Sequence, residues 1–156
     1  SIAVTTSFYN IHFVFQKIFG DDMGFVAGKD LGVNPYGNSV IANGKYLKEN
    51  PGVVKNFVKV TQKAYAACAK NADPCITALM DANSGLKRGS SMANWALVKE
   101  LMDADSSRNG AIGYFDPARM EADYKLIEAY FKLKTPFDIK KTYRNDFLDM
   151  SVKFGG

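Results

Sequence analysis

The sequence has few of the groups that usually carry catalysis or bind metal ions. It contains one histidine, His12, and two cysteines, Cys68 and Cys75. A metal site needs several converging ligands, and the cysteines lie far along the chain from His12, so we expect a structural or incidental role for this histidine. We find no nucleophile with a base, no paired catalytic carboxylates and no phosphate-binding loop. These absences argue against an enzyme and against a bound cofactor.

Long apolar runs and concentrated charge of one sign are also missing. The apolar runs end well short of the ~20 residues that a membrane-spanning helix needs. The formal net charge is +4, but the lysines alternate with acids, as at Lys48 and Glu49 and again at Lys99 and Glu100. Nucleic-acid binding requires a concentrated basic surface, so we expect no nucleic-acid partner.

The residues that are present fit a globular protein with long helices. The 156 residues are 47% hydrophobic and 23% charged, which suits one domain with its own core. Asn or Asp precedes Pro at Asn50, Asp73 and Asp116, and this pair is typical of a helix start. Apolar residues then recur at helical spacing. The predicted stripes are Val53, Val54, Phe57, Val58, Thr61, Ala64, Tyr65 and Cys68 after Asn50, and Met120, Tyr124, Ile127 and Phe131 after Asp116.

One further helix and two less regular segments are predicted in the carboxyl-terminal half. Ser90 or Ser91 can cap a helix that carries Trp95 on its apolar face. The turn-forming residues over 104–110 predict a loop. Residues 136–147 predict a tail with one short helical turn near Asp138.

The amino-terminal third has the pattern of a small mixed unit. Short β-prone runs at Ser1–Thr6, Met23–Ala27 and Tyr36–Ala42 predict strands. Apolar spacing over residues 8–18 predicts a helix that Ser7 caps. The sequence therefore predicts an α/β fold that becomes mostly helical after residue 50.

Candidate ligand-binding residues lie at the first predicted strand end. Ligands in α/β folds bind near the carboxyl ends of strands and the amino termini of helices, which indicates Thr5, Thr6, Ser7 and Tyr9. The alternative is that Thr6 and Ser7 only cap the helix, and capping explains these residue types fully.

A second pair of candidates lies on the predicted strand Tyr36–Ala42. Tyr36 offers an aromatic face and a hydroxyl group, and Asn38 offers a donor and an acceptor, which suits the orientation of a small polar ligand. The alternative is that Asn38 adopts an unusual backbone angle beside Gly37 and that Tyr36 packs against a helix. The sequence leaves both interpretations open.

Cys68 and Cys75 flank a predicted corner between two helices. A cysteine pair that closes a short helix-helix loop indicates a disulfide in an oxidising compartment. Redox catalysis normally uses cysteines separated by two residues, whereas six residues separate these. We therefore predict a structural disulfide.

Three segments in order carry a resemblance to a known family. They are YGNSVIA followed by ENPGVVKNFVK, then IGYFDPARMEADYKLIEAYFKLKTPFDIKK, then YRNDFL. Together they resemble bacterial solute-binding proteins that serve ABC importers for thiamine pyrimidine precursors, sulfonates, nitrate and similar small molecules. In that family the first segment is the crossover strand and helix between two lobes.

The resemblance implies a two-lobed periplasmic-binding-protein fold of the type II kind. Residues 1–35 would be a βαβ remnant of the second lobe, 36–43 a hinge strand, and 44–156 the helical carboxyl-terminal part of the first lobe. The chain would then be a fragment, and its uncovered apolar surface would favour a homodimer or a swapped oligomer.

The resemblance also implies partners and a location. A small solute would contact Thr6, Ser7, Tyr9, Tyr36 and Asn38 between the lobes, and the loaded protein would deliver it to an ABC permease. The location would be periplasmic or extracellular, either lipid-anchored or soluble. The alternative is a helical protein-interaction module without a small ligand, which we disfavour at the sequence level because no further apolar helix face is expected to remain for a partner.

Overall fold

The structure is a computed structural model that describes residues 4–156, and the elements it describes are helical. The six α-helices described include four, α2 to α5, that follow one another with short connections, whereas longer segments precede α2 and α6, and 3₁₀ turns lie between some of the helices. The α-helices are α1 (His12–Phe19), α2 (Gly44–Glu49), α3 (Pro51–Lys70), α4 (Ala72–Ala82), α5 (Arg88–Met102) and α6 (Pro117–Phe131). The 3₁₀ turns are Tyr9–Ile11, Gly20–Asp22, Gly28–Leu31 and Ile139–Lys141.

The predicted α/β class is wrong for residues 4–156, which contain no strand and form an all-α arrangement. Met23 and Ala27 have extended backbone angles, as their sequence predicts, but the segment between them pairs with no neighbour. Tyr36–Ala42 is likewise irregular. Of the predicted strand Ser1–Thr6, residues 1–3 lie outside the described residues. An extended segment becomes a strand only when another segment satisfies its backbone hydrogen bonds, and that partner is missing from the described chain.

Side-chain caps start α2, α4 and α6, whereas α1, α3 and α5 begin without one. The predicted cap at Ser90 or Ser91 is therefore wrong, because α5 begins earlier, at Arg88. Asp116 caps α6 as predicted, because its Oδ1 accepts a hydrogen bond from the Arg119 N–H at 2.9 Å. Asn50 does not cap α3 with its side chain, since its Nδ2 donates instead to the Tyr46 carbonyl at the end of α2. No separate helix was predicted at α2, although it lies within the range 44–156 that was expected to be helical and Asn43 caps it.

Other boundaries also differ in detail. Asn71, two residues before Asp73, caps α4. Residues Ser106–Gly110 form a π-helix where a loop was predicted, and the predicted helical turn near Asp138 is present as a 3₁₀ turn. Phe131 is 75% exposed, so the stripe predicted for α6 is wrong at its last residue, whereas Tyr124 is buried.

The buried apolar residues are divided between two helices, the turn before α6 and the chain end. They are Ile76 of α4, Tyr124 of α6, Ala111 and Ile112 of the turn, and Phe154 near the chain end. The Ile112 N–H donates to the Val152 carbonyl, and the Phe154 N–H donates to the Ser107 carbonyl, both at 2.9 Å. These bonds hold the carboxyl-terminal residues against the turn that precedes α6.

Candidate functional site

Tyr36 is held against the amino-terminal end of α6. Its hydroxyl oxygen accepts a hydrogen bond from the Asp116 N–H at 2.8 Å. The Arg119 guanidinium lies over its ring, 4.1 Å from the centroid, and Phe115 meets the ring edge-on at a centroid distance of 5.0 Å. The packing alternative for Tyr36 therefore describes its contacts, although its hydroxyl hydrogen is still free to donate to a ligand.

Arg119 fixes the residues just before Tyr36 as well. Its Nε donates to the Asn34 carbonyl at 2.8 Å, and its Nη2 donates to Asn34 Oδ1 at 3.0 Å and to the Pro35 carbonyl at 3.1 Å. Burial raises the pKa of Asp123, while Arg119 and a backbone hydrogen bond from Tyr36 act in the opposite direction. One arginine on α6 thus anchors the start of the crossover segment, which we define as residues 34–43.

Asn38 lies beyond this anchor and is exposed. It is in an irregular stretch of backbone between the anchored residues and α2. Its amide can offer a donor and an acceptor to a small molecule from that position.

The turn that holds Thr6, Ser7 and Tyr9 is attached to a different helix. The Tyr9 hydroxyl donates to Glu100 Oε1 on α5 at 2.7 Å. This hydrogen bond, with burial as a weaker cause, raises the pKa of Tyr9. Thr6 and Ser7 are exposed, and Ser7 does not cap a helix through its side chain, since its Oγ donates to the neighbouring Phe8 carbonyl.

His12 and Asn10 complete the attachment of this turn. The His12 ring stacks on Phe25 with centroids 4.3 Å apart, and Tyr9 packs beside both rings. Asn10 and Asn94 of α5 exchange two hydrogen bonds, one from Asn10 Nδ2 at 3.2 Å and one from Asn94 Nδ2 at 3.0 Å. His12 therefore contributes to aromatic packing.

An open cavity of about 350 Å³ lies next to the Tyr36 anchor. It is lined by Asp105, Ser106, Asn109, Gly110, Tyr114, Asp116 and Met150. Asp116 belongs both to this lining and to the Tyr36 contact, so the cavity and the crossover segment share a residue. The carboxylate and hydroxyl oxygens that line the cavity can accept hydrogen bonds from a donor-rich small molecule.

Asn145 fixes the wall of this cavity. Its Oδ1 accepts from the Phe115 N–H at 3.0 Å, and its Nδ2 donates to the Phe115 carbonyl at 2.8 Å. Sequence reasoning missed the cavity because it treated residues 104–110 as a loop. The signal available was the dense run of polar residues there, close in sequence to the Gly-Tyr-Phe-Asp-Pro motif.

A second cavity, of about 270 Å³, lies between α3 and the chain end, where Lys59 Nζ is 3.1 Å from Asp149 Oδ2. Neither cavity is lined by any of the five predicted ligand residues. Two of these residues instead contact helices: Tyr36 contacts the start of α6, and Tyr9 contacts α5.

Cys68 and Cys75 are joined by a disulfide, with Cα atoms 5.8 Å apart. The bond links the last turn of α3 to the first turn of α4. The bond spans the junction at Asn71, the single residue between the two helices.

Within residues 4–156, no group of three or more His, Cys, Asp or Glu side chains could hold a metal ion. No helix described for this chain is long and apolar enough to cross a membrane.

Comparison with known families gives a match that covers just under half of the chain. Comparison with curated proteins and with solved structures gave no match. The matched range holds the turn at Thr6 to Tyr9, the crossover segment and α3, and the match supports a relation to the solute-binding proteins of ABC importers. Residues 1–74 are similar to the family described as NMT1/THI5 like.

Proposed function

We propose that this chain belongs to the substrate-binding component of an ABC-type importer, which captures a small solute between two lobes and delivers it to a membrane permease. The family similarity over residues 1–74 carries this proposal. That family consists of binding proteins, which agrees with the absence of catalytic motifs in the sequence.

In this proposal residues 36–43 of the crossover segment are the hinge between the lobes. Residues 1–35 belong to one lobe and residues 44–156 to the other. The Arg119 contacts with Asn34 and Pro35 support this assignment, because they fix one end of the segment while Asn38 stays exposed. A hinge needs such a fixed end and a few residues that can change their backbone angles.

The solute would contact Thr6, Ser7, Tyr9, Tyr36 and Asn38, all of which lie in the matched range. A planar or anionic molecule fits these groups, because the Thr6 and Tyr36 hydroxyls and the Asn38 amide can donate to it. The Tyr9 hydroxyl, which donates to Glu100, would accept a hydrogen bond from it. Tyr36 would contribute its hydroxyl proton, since its ring is already covered by Arg119.

A thermal-shift screen against pyrimidines, sulfonates, nitrate and aromatic acids tests the proposal. It should use this chain and, where its gene encodes more residues, the whole product. A ligand at about 100 times its Kd should add about 2.7 kcal/mol of stability. No shift with any of the four classes in the whole product would contradict the proposal.

Variants then test the contacts by calorimetric titration of the ligand found. Tyr36→Phe combined with Asn38→Ala should weaken binding at least about tenfold, because both polar groups are lost. Tyr130→Phe combined with Asn56→Ala makes the same chemical changes at exposed sites elsewhere and should leave binding unchanged. Equal affinities of the two double variants would show that the hinge contacts are wrongly assigned.

We also propose a periplasmic or extracellular location, with the protein soluble or lipid-anchored. The pairing of Cys68 with Cys75 supports this, because such bonds persist in oxidising compartments.

A helical interaction module is the second candidate, and one observation favours it. The long helix α3 keeps an exposed apolar face, which the sequence reasoning did not expect. The family similarity favours solute capture, so we retain the module only as the alternative. Self-association of the chain, as a homodimer or through exchange of elements, remains part of the proposal.

A further inference from the structure

The helix α3 has a second apolar face that the described fold leaves uncovered. Val53, Phe57 and Val60 are 54%, 58% and 66% exposed, and Ala64 and Ala67 on the same side are also exposed. The successive spacings are four, three, four and three residues. This is the spacing of a seam along which one helix packs against another. We call these five residues the α3 seam.

The other side of α3 is used inside the fold. Gln62 is buried there, and Val54 and Val58 are partly buried. Rotation of α3 about its axis could therefore bury the α3 seam only by exposing the residues that are now buried. A helix that is apolar on two sides is expected to be covered on both.

The accessible surface of the chain is larger than that of a compact monomer of the same mass. Its accessible surface is 11479 Å² for a mass of 17.2 kDa. A compact monomer of that mass exposes about 7,800 Å², so this chain exposes roughly 3,700 Å² more. A stable protein interface buries about 800 Å² on each partner. The excess is large enough for such an interface several times over.

The α3 seam is the exposed apolar surface with the regularity of an interface. Val14, Ile18 and Phe19 are exposed on α1, but that helix has only eight residues. On α6 the exposed large apolar residues, Tyr130 and Phe131, are confined to the last turn. Among the described elements, α3 alone presents exposed apolar residues over four turns, a length of about 21 Å at 1.5 Å per residue.

We propose that the α3 seam is the contact surface for a second copy of this chain, paired antiparallel about a two-fold axis at Val60. The residue sizes along the α3 seam support this orientation. An antiparallel pair centred on Val60 places Val53 against Ala67 of the second copy, seven residues to either side of the axis. It also brings Phe57, three residues before the axis, beside Ala64, four residues after it. Val60 meets Val60 at the axis, the two large side chains at the ends each meet a small one, and the same patch is used on both copies, as a two-fold interface requires.

A parallel pair fits the same residues less well. It would place Phe57 against Phe57 and Ala64 against Ala64, which crowds one end and leaves space at the other. The antiparallel pair also sets the two helix dipoles in opposite directions. This inference is independent of solute capture, because the α3 seam includes none of the predicted ligand residues.

Sedimentation equilibrium of the 156-residue chain over a range of concentrations tests the pairing. We expect a monomer-dimer equilibrium for the unaltered chain. Val60→Glu places two like charges together at the two-fold axis and should raise the dimer Kd at least about 100-fold. Val26→Glu is the matched control, since Val26 is 67% exposed, and it should leave the dimer Kd within about threefold.

Circular dichroism is the folding control, and each variant should keep its helices, because Val60 and Val26 are exposed. A chain that stays monomeric at every concentration would overturn the proposal and show that α3 is covered by something else. A dimer that Val60→Glu does not weaken, or that Val26→Glu weakens equally, would overturn it as well.

Charge variants test the orientation. Val53→Lys and Ala67→Glu should each weaken the dimer, since each places a charge on the α3 seam. The double variant should recover at least about tenfold over either single variant if the pair is antiparallel, because the introduced lysine then faces the introduced glutamate of the other copy. In a parallel pair the introduced charges would face like charges, and the dimer affinity of the double variant would not recover. That outcome would contradict the antiparallel arrangement.

Discussion

Gln62 is a polar side chain at the centre of the buried contacts. It is 3% exposed, its Nε2 donates to the carbonyls of Ile112 and Asp149 at 2.8 and 3.3 Å, and its Oε1 accepts from the Asp149 N–H at 2.9 Å. One side chain thus links α3 to the turn before α6 and to the chain end. A buried polar group is stable only when its hydrogen bonds are satisfied, and those of Gln62 are.

Replacing Gln62 with Ala should destabilise the protein by about 1 to 3 kcal/mol, because the backbone groups of Ile112 and Asp149 lose their partner in the core. Urea unfolding measures the change. Lys63→Ala, at the next residue and exposed, should change stability by less than about 0.5 kcal/mol. Equal losses for the two variants would show that the Gln62 contacts contribute nothing specific.

Asp149 gives the folded protein an acid-sensitive contact. Its carboxylate accepts hydrogen bonds from the hydroxyl and N–H groups of Ser151 at 2.6 and 3.1 Å, and lies 3.1 Å from Lys59 Nζ. The Ser151 bonds and then the Lys59 contact lower the pKa of Asp149 from 3.8 to about 2. The folded chain therefore binds this proton less readily than the unfolded chain does.

Because the folded pKa is the lower one, the stability from Asp149 is present above about pH 4 and is lost as the pH falls toward 2. Asp149→Asn should flatten the dependence of unfolding free energy on pH between 4 and 2. Denaturant unfolding at several pH values measures the slope, and Asp22→Asn, at an exposed site, is the control. An Asp149→Asn slope equal to that of the unaltered chain would contradict the assignment.

Three of the six α-helices described, α2, α4 and α6, begin at a side-chain cap. Asp116 caps α6 and Asn43 caps α2 through ordinary side-chain hydrogen bonds. Cys68 and Cys75 then join α3 to α4 across one intervening residue. That bond closes a short loop and restricts the unfolded chain.

Removing the disulfide with Cys68→Ser and Cys75→Ser together should lower the unfolding free energy by about 2 to 3 kcal/mol, the amount expected for so short a loop. Thermal and denaturant unfolding measure this, with Ser90→Ala as an exposed control. Mass measurement with alkylation, before and after reduction, shows whether the bond forms in protein from an oxidising compartment. Two free thiols in that preparation would argue against the proposed location.

The whole molecule exposes far more surface than a compact chain of its mass, and this affects both proposals. Pairing through the α3 seam makes the melting temperature rise with protein concentration, whereas solute capture makes it rise with ligand concentration. The two effects can therefore be measured separately. Solute capture relies on the similarity over residues 1–74, and pairing relies on the exposure of α3.

The sequence by itself determined the features that depend on neighbouring residues. The Asp116 start of α6 and the helical character beyond residue 43 follow from capping groups and from the 3.6-residue repeat. The five candidate ligand residues and the hinge stay predictions, since their roles depend on a bound solute.

Only the tertiary structure decided the features that need a distant partner. Extended segments such as Met23–Ala27 did not become strands, because no other described segment pairs with them. Gln62 became a buried hydrogen-bonding centre because the chain end returns to α3. The exposure of Phe57 and Val60 depends on which side of α3 the rest of the chain covers, and periodicity cannot tell one apolar side of a helix from the other.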